Sequence, residues 1–187
     1  NMSGDSLVSF VPFTGTALPA GWTVIAGAGS QLTVANDTLA IDGTGGTEIV
    51  GVDAGHAHQV LDLGVTVPAS PGGTTFVTAL TDLASNAGEY VACGIRLDLA
   101  TREQFEFAGG TFTTLGTDPA PSADPMTFPG MYRLITILGP STQICAIPGA
   151  SNRHVMMSSA SPAAHDTVGI RVGNAVVKIR YAAIYTF

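Results

Sequence analysis

Alternation of apolar and polar residues with a period of two runs through nearly the whole chain, and it restricts the fold more than any other feature. That period is the mark of strands with one buried face. Leu61, Leu63, Val65 and Val67 point one way, and Asp62, Gly64 and Thr66 the other. Cys93, Ile95, Leu97 and Leu99 form a second apolar face against Arg96 and Asp98. Phe105 and Phe107 share a face, with Glu106 between them. Both faces of Tyr132 to Leu138 are apolar, which predicts a central strand. Val168, Ile170 and Val172 alternate with Gly169 and Arg171.

Turn residues punctuate these runs. Asn36-Asp37 separates Leu32–Val34 from Leu39–Ile41, a hairpin signal. Ala100-Thr101-Arg102, Gly139 to Thr142 and Gly173-Asn174 divide later pairs of runs. Helical spacing is weak everywhere, and its best stretch, Leu80 to Ala87, is too short to matter. Gly43 to Thr47 reads as a flexible loop, and Thr117 to Pro129, with four prolines, as a surface excursion. The expected fold is all-β, an antiparallel two-sheet β-sandwich or jelly roll, as one domain over 1–187.

Composition removes several classes. Apolar residues make up 45% of the 187 and charged ones 11%, the reverse of a disordered chain. No apolar run is long enough to span a bilayer as a helix. A net charge of −7 repels phosphates, so nucleic acid is not an expected partner. No basic segment followed by an apolar one marks a secretory signal, and the opening Asn1-Met2 suggests a trimmed or excised piece.

An ordered set of phrases then resembles the concanavalin A-like (laminin G-like) sandwich domains. Phe13 to Trp22 reads F-T-G-T-A-L-P-A-G-W, similar to the opening of that family, and Asn36 to Leu39 resembles its first hairpin. Tyr90 to Leu97, Tyr132-Arg133-Leu134, and Val168 to Val172 leading into Tyr181 to Tyr185 resemble its later strands in the right order. The resemblance implies that the first and last strands lie side by side, pairing Leu7, Val8 and Phe10 with Ile184, Tyr185 and Phe187. Trp22, the single tryptophan, is expected to plug one end of the core, with a sugar-stacking platform as its alternative. Tyr90 and Tyr132 are the other candidate glycan contacts.

The residues offer no catalytic set. Members of this fold that cleave glucans carry E-x-D-x-x-E on a strand; here no E-x-D occurs, and Glu103 and Glu106 fall on opposite faces. His56-Ala57-His58 with Asp62 loosely resembles half of a cupin metal motif, with His154 as a third candidate ligand, but polar loop residues are the expected reading. No cofactor is expected. Calcium, common in this fold, would draw on Asp53, Asp118, Asp124 and Asp166, yet no D-x-D-x-D-G run exists. Cys93 and Cys145 lie among apolar neighbours and are expected as buried free thiols, with a bridge between them as the alternative. No nucleotide-binding glycine motif or G-x-S-x-G occurs.

Two roles remain. One is a non-catalytic structural or adhesive component of a bacteriophage virion: a minor tail, receptor-binding or capsid decoration protein. The absent catalytic set, the low charge and an Ala/Gly/Thr-rich chain with Lys178 as its single lysine point that way. The other is a carbohydrate-binding module of a secreted bacterial enzyme or adhesin, located outside the cell. Lysine normally guards sheet edges, and uncharged strands such as Thr75 to Leu80 are expected to lie against other virion proteins or copies of the chain.

Overall fold

The computed structural model describes residues 6–29, 31–69, 74–119, 126–148, 153–159 and 163–187. The regular structure in these residues is β throughout, in fifteen strands packed as two antiparallel sheets. Among the described residues no helix is long and apolar enough to cross a membrane. The expected two-sheet sandwich is therefore the fold.

The larger sheet has eight strands. Its path runs β13 (Arg153–Ser159), β12 (Thr142–Pro148), β11 (Gly130–Leu138), β6 (Gln59–Val67), β15 (Val176–Thr186), β4 (Thr38–Asp42) and β3 (Leu32–Ala35). The eighth, β1 (Ser6–Val11), also pairs with β15, so the first and last strands lie side by side, Leu7 opposite Tyr185 and Phe10 opposite Ala183. The smaller sheet has seven strands, in the order β10 (Thr111–Pro119), β9 (Thr101–Ala108), β8 (Glu89–Arg96), β7 (Phe76–Thr81), β14 (Thr167–Gly173), β5 (Thr47–Asp53) and β2 (Thr23–Ala26).

The core fills the space between the sheets. Leu61, Leu63, Val65, Leu134 and Ile179 face it from the larger sheet, and Val77, Ile95, Val168, Ile170 and Val172 from the smaller. Each such side chain contributes about 1.5–3 kcal/mol by leaving water. Leu97 joins this core, but Leu99 does not: β8 ends at Arg96, and Leu99 stands exposed in the turn before β9. Asn36 and Asp37 both adopt positive φ, 50° and 54°, the two-residue hairpin turn whose twist matches the strands it joins.

Three expectations need correction. Cys93 and Cys145 are not free thiols: they form a disulfide joining β8 in one sheet to β12 in the other. They are 52 positions apart, and only the packing of the two sheets brings them together. The uncharged segment Thr75 to Leu80 is no edge: β7 lies between β8 and β14, and its lack of charge follows from burial on both faces. The proline-rich stretch from Thr117 is a loop only in part, because Thr117 to Pro119 complete β10 at the sheet's edge, where a missing N–H is tolerated.

Candidate functional site

The cross-strand register sorts the smaller sheet's outward residues into rows. One row runs Gly173, Phe76, Arg96, Thr101. The next runs Arg171, Thr78, Gly94, Glu103, Thr117. A third runs Gly169, Leu80, Ala92, Phe105, Thr114, and a fourth Tyr90, Phe107, Phe112. Phe105 is thus buried as expected, but in a satellite cluster on the outer face with Leu80, Tyr90 and Ala92 rather than between the sheets.

Glycines give this face its depth. A Cβ on Gly94 would lie 2.6 Å from the Val77 carbonyl oxygen and collide with the Thr78 methyl group. A Cβ on Gly173 would collide with the Phe76 ring that lies over it. The floor is accordingly low along the middle strands, and large side chains rise from β9, β10 and β14. The result is a trough of about 340 Å³ lined by Phe76, Thr78, Arg96, Glu103, Phe112 and Arg171, among others.

Its walls mix rings with charge. Phe112 is 55% exposed and leans on Phe107 (centroids 4.6 Å apart) and edge-on to Phe105 (5.5 Å). The Arg171 guanidinium carbon sits over the Phe76 ring at 3.9 Å and reaches within 5.5 Å of the Phe112 centroid. Residues from β14 and β10, at separate places in the sheet, so converge over the floor. Arg96 donates to Asp98 from Nε (3.0 Å) and Nη2 (2.7 Å), and its Nη1 lies 3.7 Å from Glu103. Arg96 holds the Asp98 carboxyl below its ordinary range; burial pushes Glu103 the other way. Glu103 is the one carboxylate lining the trough among the described residues.

The aromatic residues singled out from the sequence lie elsewhere or beneath. Trp22 is 5% exposed, its ring edge-on to Phe13 at 5.6 Å and its backbone N–H donating to the Pro19 carbonyl; it closes the end of the core. Tyr90 is 3% exposed and lies beneath the trough's far end, stacked on Phe107 at 5.1 Å. Tyr132 packs against the core, and its hydroxyl both accepts from the Thr127 N–H and donates to the Thr127 carbonyl. None of the three rings lines the trough. Phe112 and Arg171 carried no motif. The signal for them was an apolar side chain on the polar side of an alternating strand, at Phe105 and Phe107, with a lone Arg171 inside the apolar run 168–172.

The metal candidates do not assemble. Residues 55–58 form a bend rather than an extended segment, which removes the shared face expected for His56 and His58. His58 stacks on Phe187 at 5.6 Å, while Asp62 is bound by Arg133 and Tyr181. The side chain of His154 lies outside the described residues, as does Asp124. Asp53 accepts the Gly55 N–H within its own turn, and Asp118 lies in β10 rather than in a loop. Among the described residues no three His, Cys, Asp or Glu come together to hold an ion.

The two antiparallel sheets form a sandwich with the trough on the outer face of the smaller one, a fold consistent with a concanavalin A-like jelly roll. No protein family and no curated protein matches the chain in sequence. Solved structures do match in fold. The carbohydrate-binding module CBM66 of Bacillus subtilis is 13% identical with a TM-score of 0.65, over 86% of this chain and 92% of that one. The CBM2 module of the evolved Dit of Lactobacillus casei BL23 phage J-1 is 10% identical with a TM-score of 0.64, over 97% and 96%. GH43B of a Bacteroides ovatus xyloglucan PUL is 10% identical with a TM-score of 0.73, and there this chain corresponds to 39% of the larger protein. At such identities the likeness concerns the fold.

Proposed function

We propose that this chain is a non-catalytic glycan-binding module that serves as an adhesive or structural component of a phage virion. The observation that carries the reading is the trough: an exposed ring, Phe112, beside the donors of Arg171 and Arg96 and the hydroxyls of Thr78 and Thr114. Sugars present apolar C–H faces to rings and hydroxyl edges to such groups, and pockets of this size and mixed lining take small ligands. Hydrolysis of a glycosidic bond uses two facing carboxylates, and among the described residues Glu103 is the one carboxylate lining the trough, which supports binding without cleavage. Glycan-array screening of the wild type and Phe112→Ala tests this. Loss of the exposed ring is expected to weaken binding about tenfold, the upper end of what one aromatic contact contributes. Unchanged binding by Phe112→Ala would remove the trough from consideration.

The phage module that matches over nearly the full length of both chains supports the virion setting. The CBM66 match supports a second reading, a module of a secreted bacterial enzyme or adhesin. Mass spectrometry of purified particles separates them: absence from any virion ends the first. In the virion reading the outer face of the larger sheet meets neighbouring proteins or further copies, since Phe10, Met131, Val155 and Met157 stand exposed there. Light scattering is expected to show association; a clean monomer at high concentration, with no contact in the particle, would end that part of the reading.

A further inference from the structure

Arg171 stands apart from the other charges of the trough. It shares a cross-strand row with Glu103, but Thr78 and Gly94 lie between them, so three strand spacings, about 14 Å, separate the two backbones. Glu103 and Asp98 both face Arg96 instead. Among the described residues the Arg171 guanidinium makes no ion pair and no hydrogen bond; its contacts are the rings of Phe76 and Phe112.

Those rings do not satisfy it. They attract the cation through their faces, yet five N–H donors remain that a ring cannot accept in the ordinary way. Burial lowers the Arg171 pKa from its ordinary value, a sign that water has been removed from the charge; an arginine stays charged nonetheless. A desolvated cation costs free energy until an anion pairs with it. The guanidinium fork matches the two oxygens of a carboxylate, and the exposed Phe112 ring beside it offers a surface for a sugar face.

We infer that the trough takes an acidic glycan, whose sugar ring lies against Phe112 while a carboxylate on that sugar pairs with Arg171. This deepens the glycan-binding reading and rests on it. The net charge of −7 does not oppose it, because charges beyond about 8 Å are screened at physiological salt.

Titration calorimetry with matched ligands tests the inference. The probes are a hexuronate-containing oligosaccharide, its carboxyl-reduced neutral form, a glycan ending in a sialic acid, and a sulfated neutral glycan. The wild type is expected to bind a carboxylate glycan at least about tenfold more tightly than its neutral counterpart, the size of one charge-assisted contact. Preference for the uronate or for the sialylated probe identifies the source of the carboxylate. Arg171→Gln should erase that preference, so that the acidic and neutral forms bind alike, and Arg171→Lys, which keeps the charge but not the fork, should restore part of it. If Arg171→Gln fails to fold, the wild-type ratio of acidic to neutral affinity decides alone. Equal affinity for acidic and reduced forms would overturn the inference and leave glycan binding standing. Preference for the sulfated probe alone would overturn it too. Binding of none of the probes would overturn both readings.

Discussion

The outer faces of the two sheets solve the same problem in opposite ways. Each sheet turns one face to a shared core and must then present the other side to its surroundings. On the larger sheet, low positions are covered. Tyr181 lies over Gly64, where a Cβ would collide with the ring, and its hydroxyl reaches Asp62 at 3.2 Å. Arg133 clamps the same carboxylate with Nε at 2.9 and 3.1 Å, and Asp62 holds its guanidinium still further toward the charged form. A carboxylate on a solvent face is thereby buried and fully committed. On the smaller sheet the comparable glycine, Gly94, has the Thr78 methyl group and the Val77 carbonyl against it, and no ring. Arg171, in the same cross-strand row, pairs with rings rather than an acid among the described residues. One face commits its central carboxylate to its own partners; on the other, among the described residues, Arg171 is left without an acid partner.

The disulfide should give the largest effect, because it ties the two faces together. Cys93 in β8 and Cys145 in β12 close a segment of 52 positions, which by loop-closure entropy corresponds to about 4 kcal/mol. Denaturant unfolding of the Cys93→Ser, Cys145→Ser double variant, or of the wild type with reductant, checks it. A loss below about 1 kcal/mol would mean that core packing alone fixes how the sheets sit on each other.

Asp62→Ala sharpens the contrast at intermediate size. It removes the acceptor for Arg133 and Tyr181 at the middle of the larger sheet. Charge-assisted hydrogen bonds contribute about 1.5–3 kcal/mol, but the Arg133 side chain is 53% exposed, so the net cost should be about 1–2 kcal/mol. Glycan affinity should not change. A variant of unchanged stability that bound glycan less well would mean that the two faces have been assigned in reverse.

Much of this was legible in the sequence, and the missing part has a physical cause. Period-two alternation identified the inward residues of β6, β8 and β14, since facing a core constrains every second position. The positive-φ turn at Asn36-Asp37 was equally plain, because it depends on two adjacent residues. The disulfide and the central place of β7 depend on which strands neighbour one another, and alternation within a strand carries no such information. The trough is hardest of all: Phe76, Gly94, Glu103, Phe112 and Arg171 come from five strands and are joined only by register. Trp22, by contrast, was legible: a lone tryptophan after a Leu-Pro-x-Gly turn is expected to close the core, and it does.

The smallest expected effect lies within the trough itself, in the two carboxylates that flank Arg96. Burial raises the Glu103 pKa above its ordinary 4.5, against the weaker opposing pull of Arg96. A carboxyl whose folded-state pKa is raised binds its proton more tightly folded than unfolded. Its contribution to stability is therefore full below pH 4.5 and is lost as the pH rises through the raised value. Asp98 behaves oppositely. Its pKa is lowered from 3.8 by the Arg96 hydrogen bonds, so its contribution is present above 3.8 and is lost as the pH falls through the lowered value. Relative to wild type, Glu103→Gln should thus gain stability between about pH 4.5 and 7, and Asp98→Asn should lose it over the same range, as read by thermal unfolding at each pH. The same proton matters for the ligand. Protonating Glu103 removes a negative charge from the trough wall and leaves Arg96 less opposed, so the affinity for a carboxylate glycan should rise as the pH falls through the raised Glu103 value. Glu103→Gln should flatten that rise. A rise that survives the substitution would place the titrating group outside the trough.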